Sequence, residues 1–308
     1  MASDVKEIVV ISGKGGTGKT SITAAFAALA ENAVLADCDV DAADLHLILQ
    51  PDVRATHDFS GGKLARIRAE ACIGCGRCAE VCRFEAVRLS DVGNDVVAKT
   101  YAVDPVACEG CGVCVHFCPV KAIDFEEAIN GQWFLSETRF GPLVHAKLGI
   151  AEENSGKLVS LIRKEAKRIA EEEGKSLMIV DGSPGIGCPV IASISGADLV
   201  LIVTEPTLSG QHDLNRVVDL AEHFGIPALV CINKWDINAE VAERIEALAR
   251  ERGVETAGRI AYDPVVTEAQ VAGQAIPEYN NGSLKDQVVT LWGAVQRGLE
   301  KDNGHKEK

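Results

Sequence analysis

The sequence predicts an α/β fold, a doubly wound and mostly parallel sheet interrupted by a smaller inserted α+β module. Three observations predict it. Short runs of Val, Ile and Leu without strict alternation recur between amphipathic stretches, the pattern of strands buried on both faces. A glycine-rich turn joins the first such run to the first helical stretch. Eight of the eleven cysteines crowd into residues 72–118, where the strand–helix rhythm stops.

Taken in order, strands are expected at 7–12, 33–36, 176–181, 199–204, 228–233 and 255–261, and helices at 19–31, 157–173, 210–224, 239–252 and 284–301. Gly174 and Gly225 read as helix stops. Alternation of this kind implies right-handed crossovers between parallel strands. The cysteine-rich stretch has short local periods, turn residues and two similar halves about 36 residues apart, an internal repeat. The expected division is therefore 1–54 and 136–308 for the α/β domain, with 55–135 inserted. Residues 141–157 read as a strand leading to a helix capped at Asn154–Ser155, and the polar tail 302–308 as a frayed end.

Bulk properties narrow the function. The chain has 308 residues, 47% apolar and 25% charged, which suits a globular protein with a sizeable core. A net charge of −14 argues against nucleic acid as a partner. No run reaches the length of a membrane span, and the first apolar run is too short for a signal peptide. The compartment expected is reducing and cytoplasmic, where clustered cysteines read as metal ligands.

Residues 8–20 read IVVISGKGGTGKT: strand, glycine-rich turn, Lys-Thr, helix. Gly13, Gly15, Gly16, Thr17 and Gly18 let backbone N–H groups converge on phosphate oxygens at a helix N-terminus. Lys19 is placed to reach the β- and γ-phosphates, and the Thr20 hydroxyl to ligate Mg²⁺. Asp37 and Asp39 follow the second strand, and Asp181 ends a later one, where carboxylates face the ligand crevice of an α/β sheet. Asp41 and Asp44 read as caps or solvated carboxylates.

The second lysine of the loop, Lys14, makes the whole resemble the deviant Walker A family of P-loop ATPases, which includes MinD, ParA, the nitrogenase iron protein and the Mrp-type carriers. The resemblance implies a nucleotide-sandwiched homodimer with Lys14 reaching the partner's phosphates. It also implies that Asp37 and Asp181 support Mg²⁺, that Asp39 positions the attacking water, and that Gly182 offers its N–H to the γ-phosphate. Base contacts are open to two readings. Asn233-Lys234-Trp235-Asp236 resembles the guanine reader of GTPases, with Asp236 on the base; in the deviant family an asparagine at Asn233 contacts adenine, and Tyr262-Asp263-Pro264 resembles the second base-side loop. ATP is favoured, because the Lys14 loop is the more specific motif. MinD-type proteins use a C-terminal amphipathic helix at membranes; here Asp286 and Glu300 on the polar face favour packing on the sheet.

The cysteines form two runs of C-x₂-C-x₂-C-x₃-C, the bacterial ferredoxin spacing. In that arrangement the fourth cysteine of each run serves the other cluster. Cys72, Cys75, Cys78 and Cys118 are expected to hold one [4Fe–4S] cluster, and Cys108, Cys111, Cys114 and Cys82 the other. Zinc is the rival for C-x₂-C pairs. Pro119 follows the second run but Arg83 follows the first, which is expected either to loosen the turn there or to place positive charge beside a cluster. Cys38 and Cys231 are expected in the core, and Cys188 is expected to be structural, with a partner-facing role as the alternative. His46, His145, His212 and His223 lack ligand spacing and read as solvated or helix-face residues; His116 lies among the ligand cysteines. Trp133 and Trp292 read as core. The stretch from Gly141 to Lys157 is similar to MinD-superfamily ATPases with an inserted ferredoxin domain. That resemblance implies an ATPase coupling ATP, Mg²⁺ and two clusters to electron delivery to a redox partner. The alternatives are a carrier handing a cluster to an apo-metalloprotein acceptor, and a positioning ATPase with structural clusters.

Overall fold

The structure is a computed structural model that describes residues 5–149, 155–279 and 282–301. The cap expected at Asn154 and the tail 302–308 lie outside these residues. The chain opens with β1 (Lys6–Ser12), α1 (Lys19–Leu29), β2 (Ala33–Asp37), α2 (Leu45–Leu49) and β3 (Asp52–Ile67). The cysteine-rich stretch adds α3 (Arg77–Glu80), β4 (Val87–Leu89), β5 (Tyr101–Val103) and α4 (Val113–Phe117). Then follow β6 (Ile123–Thr138), β7 (Gly141–Leu148), α5 (Ser155–Glu172), β8 (Leu177–Pro184), α6 (Cys188–Ile194) and β9 (Leu199–Thr204). The remainder is α7 (Leu208–His223), β10 (Ala228–Asn233), α8 (Ala239–Glu251), β11 (Glu255–Ile260), α9 (Val265–Val271), α10 (Ile276–Tyr279) and α11 (Ser283–Lys301).

The main sheet of the described residues has the order β11-β10-β9-β1-β8-β2-β7-β6-β3. The pairs from β11 through β7 are parallel. Two residues join β6 to β7, a link short enough only for antiparallel neighbours. Strands β1, β2 and β9 are buried on both faces because helices cover both. On one face Phe26 of α1 and Trp292 of α11 meet at 4.8 Å over Ile8, Leu35 and Leu201. On the other, α5 and α7 bury Leu158, Ile162, Leu214 and Val217. The apolar stripe of α11 (Leu284, Val288, Leu291, Val295, Leu299) is thus buried, as its polar face suggested. Among the described residues no helix is long and apolar enough to cross a membrane.

The chain divides into two compact units, one of residues 1–57, 133–147 and 155–308, the other of residues 58–132 and 148–154. In the second unit β4 and β5 pair antiparallel, Val87 opposite Val103. Its core is small: Ala65, Cys78, Val87, Cys114 and Ile123, with Tyr101 and Phe125 against them. The two halves of the sequence repeat are alike in backbone. Gly76 (φ 76°) leads into α3 as Gly112 (φ 72°) leads into α4. The sixteen-residue strands β3 and β6 are absent from the sequence-based expectation. Most of β3 is exposed, so it carries neither an apolar run nor clean alternation.

Two aromatic assignments change. Trp133 is half-buried and stacks on His57 at 4.2 Å, so it caps a surface strand instead of filling the core. His145 is buried on β7, with Nε2 2.9 Å from Ser136 Oγ and its ring stacked 5.0 Å from Phe134 and 6.0 Å from His46. Burial, and then the neighbouring His46, push its pKa down to about 4. The folded chain holds this proton more weakly than the unfolded chain. The resulting contribution to stability is complete above about pH 6.5 and is lost as pH falls towards about 4. In urea unfolding between pH 7 and 4, the wild-type midpoint should fall more steeply than that of His145→Gln; parallel curves would count against this origin.

Candidate functional site

The phosphate-type loop runs from Gly13 to Thr20, between β1 and α1, at the C-terminal edge of the parallel strands. Its last turn demands glycine. Gly18 has φ 89°, and a Cβ there would lie 2.3 Å from Asn233 Nδ2. Asn233, at the end of β10, donates from that nitrogen to Thr17 O at 2.7 Å, and Lys234 Nζ donates to Gly16 O at 2.9 Å. The loop is thereby tied to the segment that follows β10.

Lys19 lies at the centre of the site and is buried. Its Nζ is 2.9 Å from Asp181 Oδ1 and 3.3 Å from Asp39 Oδ2. Thr20 Oγ1 donates to Asp181 Oδ2 at 2.8 Å, and Thr23 Oγ1 to Asp181 Oδ1 at 3.0 Å. Burial alone would lower the Lys19 pKa; Asp181 and Asp39 outweigh it and the net shift is upward. Asp37, directly across from Asp181 in the β2–β8 register, accepts from Asp39 N at 3.1 Å and Leu45 N at 3.2 Å. Burial, then the Asp181 charge, hold its carboxyl well above the usual carboxylate range. Burial likewise raises Asp39, partly offset by Lys19. Asp37 thus braces the turn that carries Asp39, while Asp181 gathers the loop's hydroxyls and lysine.

A cavity of about 650 Å³ opens beside this cluster. Gly15 to Thr20 and Asp39 line one end, and Asn233, Tyr262, Asp263 and Gln270 the other. Its volume is in the range of small-molecule sites. Thr17 Oγ1 is buried without a hydrogen-bond partner, and Asp39 and the Thr20 hydroxyl at the cavity wall are hard oxygen donors of the kind that Mg²⁺ takes. Loop and donor set fit a nucleotide with its metal.

Several expected residues fall elsewhere. Gly13, Lys14, Asp37, Asp181, Asp236 and Pro264 do not line the cavity. Asp236 is exposed and accepts from Tyr262 N at 2.7 Å, so its carboxylate braces the base-side loop. Pro264 starts α9. Lys14 Nζ lies 2.5 Å from Glu205 Oε1. Gly182 sits inside β8, where a Cβ would meet Ile11 Cγ2 at 2.7 Å. Cys38 and Cys231 are buried, the latter thiol pushed up to about 12 by burial. Cys188, expected to be covered, is exposed at the first residue of α6. Glu205 was not singled out for this site from the sequence, and Lys234 only as part of the base-reader motif, not as a partner of the loop. Glu205 follows directly on β9, the same strand-end signal that marks Asp37 and Asp181.

In the second unit the cysteines surround two small cavities. Cys72, Cys75, Cys78 and Cys118 line one, with Ile73 and Arg77. Cys82, Cys108, Cys111 and Cys114 line the other, with Phe84 and Glu109. Burial pushes Cys78 up to about 11 and raises Cys114. Among the described residues no three His, Cys, Asp or Glu side chains are placed to hold a single metal ion.

Fold and loop together define a P-loop nucleotide-binding protein. The chain belongs to the CobQ/CobB/MinD/ParA nucleotide-binding domain family (CbiA), which matches residues 8–276. It is 35% identical over 237 residues to an uncharacterised protein of Methanocaldococcus jannaschii, covering 76% of this chain and 80% of that one. A second uncharacterised protein of that organism is 27% identical over 288 residues, covering 91% of this chain and 94% of the other. Among solved structures, the fold is similar to the MinD cell division protein of Aquifex aeolicus (TM-score 0.55, 20% identity, 95% of this chain and 97% of that one). It is also similar to the septum site-determining protein MinD complexed with Mg-ADP from Pyrococcus horikoshii (TM-score 0.57, 16% identity, 97% and 98%).

The central lysine gives a direct test. Replacing Lys19 by Met leaves Asp37, Asp39 and Asp181 without their buried cation, which should cost about 3–5 kcal/mol at pH 8. Because the folded-state pKa values of Asp37 and Asp39 are raised, their ionisation opposes folding increasingly as pH rises through them. The deficit of the variant should therefore shrink towards pH 4, as read by denaturant unfolding at both pH values. A deficit independent of pH would rule out this charge cluster as its cause.

Proposed function

We propose that the chain is a Mg²⁺-dependent ATPase that works as a homodimer and carries electrons through two [4Fe–4S] clusters in its second unit. The observation that carries the cluster assignment is the partition of the cysteines. Each cavity takes three cysteines from one C-x₂-C-x₂-C run and the last cysteine of the other run, as two-cluster ferredoxins do. Two tandem C-x₂-C-x₂-C-x₃-C runs suit clusters better than a tetrahedral zinc ion. Cys72, Cys75, Cys78 and Cys118 would hold one cluster and Cys108, Cys111, Cys114 and Cys82 the other. Bound clusters would supply one-electron redox chemistry. Around them the chain provides apolar side chains that are themselves exposed, Ile73 and Val120 at one cavity and Phe84 and Val113 at the other.

At the nucleotide site, the backbone N–H groups from Gly15 to Thr20 and the start of α1 cradle phosphate. Lys19 compensates phosphate charge, and Thr20 and Asp181 hold Mg²⁺ with Asp37 behind them. Asp39 stands against Lys19, where its carboxylate can orient a water. Asn233, Tyr262 and Asp263 wall the base end; the outward turn of Asp236 supports adenine over guanine. Asp37–Asp39 and Gly182–Gly185 lie at the C-terminal ends of the paired strands β2 and β8, so a change at the phosphate end would move both segments together. The solved MinD bound to Mg-ADP supports the nucleotide assignment.

Anaerobic reconstitution with iron and sulfide tests the cluster reading. The wild-type chain should take up about eight irons and eight sulfides. Cys82→Ser and Cys118→Ser should each lose one cluster of the two and keep the EPR signal of the other. Zinc uptake without sulfide would overturn the reading, and loss of reconstituted clusters to an apo-acceptor would replace electron transfer by cluster delivery.

A further inference from the structure

Lys14 is the one charged residue of the glycine-rich loop that does not face the cavity. Its ammonium has three N–H donors, and three acceptors meet it on one short segment. Glu205 Oε1 lies at 2.5 Å, Ser209 Oγ at 3.0 Å and Thr207 Oγ1 at 3.4 Å. The other oxygen of Glu205 lies 3.5 Å from Lys234 Nζ, which itself donates to Gly16 O. Glu205 therefore bridges a lysine within the loop and a lysine that grips it from the base side. Burial would raise the Glu205 carboxyl; Lys14 and Lys234 outweigh it and hold it below the ordinary value. The segment is also firmly placed. Thr207 caps α7 by accepting from Gly210 N at 2.9 Å, and α7 presses on the loop so closely that a Cβ on Gly13 would lie 2.4 Å from Asp213 Cβ.

We infer that Glu205 is a positioning residue: with Thr207 and Ser209 it docks Lys14 within its own subunit, and triphosphate binding must draw Lys14 out of that dock. The carboxylate competes with phosphate for the same ammonium. It thereby sets how readily the loop accepts a nucleotide and when Lys14 becomes free for any other anionic partner. This inference rests on the nucleotide-binding reading of the loop only for its second half; the dock itself is a property of the nucleotide-free chain.

Two measurements test it separately. First, acylation of the Lys14 ε-amine by an amine-reactive ester is followed by peptide mass spectrometry without nucleotide. A partly exposed ion pair of this kind is worth a factor of about two to five, so Glu205→Gln should speed labelling of Lys14 by that factor, and Ser209→Ala by less. Equal rates in wild type and Glu205→Gln would overturn the dock. Second, affinity for a non-hydrolysable ATP analogue with Mg²⁺ is measured in wild type, Glu205→Gln, Lys14→Gln and the double variant. Glu205→Gln should tighten binding about two- to fivefold, and the gain should vanish in the Lys14→Gln background. A gain that persists without Lys14, or a loss of affinity, would mean that Glu205 acts through the fold or through Lys234. If the wild-type chain binds no analogue, the nucleotide reading fails while the labelling result still decides the dock.

Discussion

The ion cluster of Lys19 with Asp181, Asp39 and Asp37 is the interaction on which the rest of the first unit depends. Parallel pairing of β2 and β8 places Asp37 opposite Asp181 in a fully buried register. Two adjacent carboxylates in such surroundings are tolerated only with a cation or a proton between them. The cation comes from the first residue of α1, so the helix cannot slide along β1 without stranding the acids. The same electrostatic demand that stabilises the sheet's C-terminal edge therefore fixes the position of the phosphate loop. A fold that needs a lysine there has, at no further cost in structure, a positive charge where phosphate would sit.

The second unit obeys a different rule. Its core is too small to rest on apolar burial alone, and several of the side chains that fill it are cysteines. Buried thiols make modest packing groups. Bound metal would convert this weakness into a source of folding free energy, since the ligands would be held together by coordination as well as by packing. The two units thus differ in what fills them: charge compensation and apolar strands in one, a small core built partly of cysteines in the other.

Much of this was legible in the sequence for physical reasons that can be stated residue by residue. Strands such as 199–204 announce themselves because burial on both faces leaves a run of Leu, Val and Ile with a polar residue only at its end. The loop from Gly13 to Thr20 is legible because backbone convergence on an anion admits few residue types. The cysteine spacing is legible because covalent reach limits it. What escaped lies where the deciding partner is distant in sequence. His145 is buried by Phe134 and His46, which no periodicity around residue 145 reveals. Strand β3 is mostly exposed and β6 mostly half-buried or exposed, so neither shows the buried apolar run of the central strands. Lys14 looked like a phosphate ligand from its neighbours; its observed partner, Glu205, lies 191 residues further along the chain.

The tie between Gly18 and Asn233 has a consequence for how this sequence can drift. Asn233 occupies the volume that any side chain at position 18 would need, and its amide nitrogen is spent on Thr17. Neither position can change alone: a larger residue at 18 collides with the amide, and a smaller residue at 233 leaves Thr17 O unpaired in a buried place. The two positions, one at the start of α1 and the other at the end of β10, share one degree of evolutionary freedom, and lineages that altered one should carry a matching change at the other.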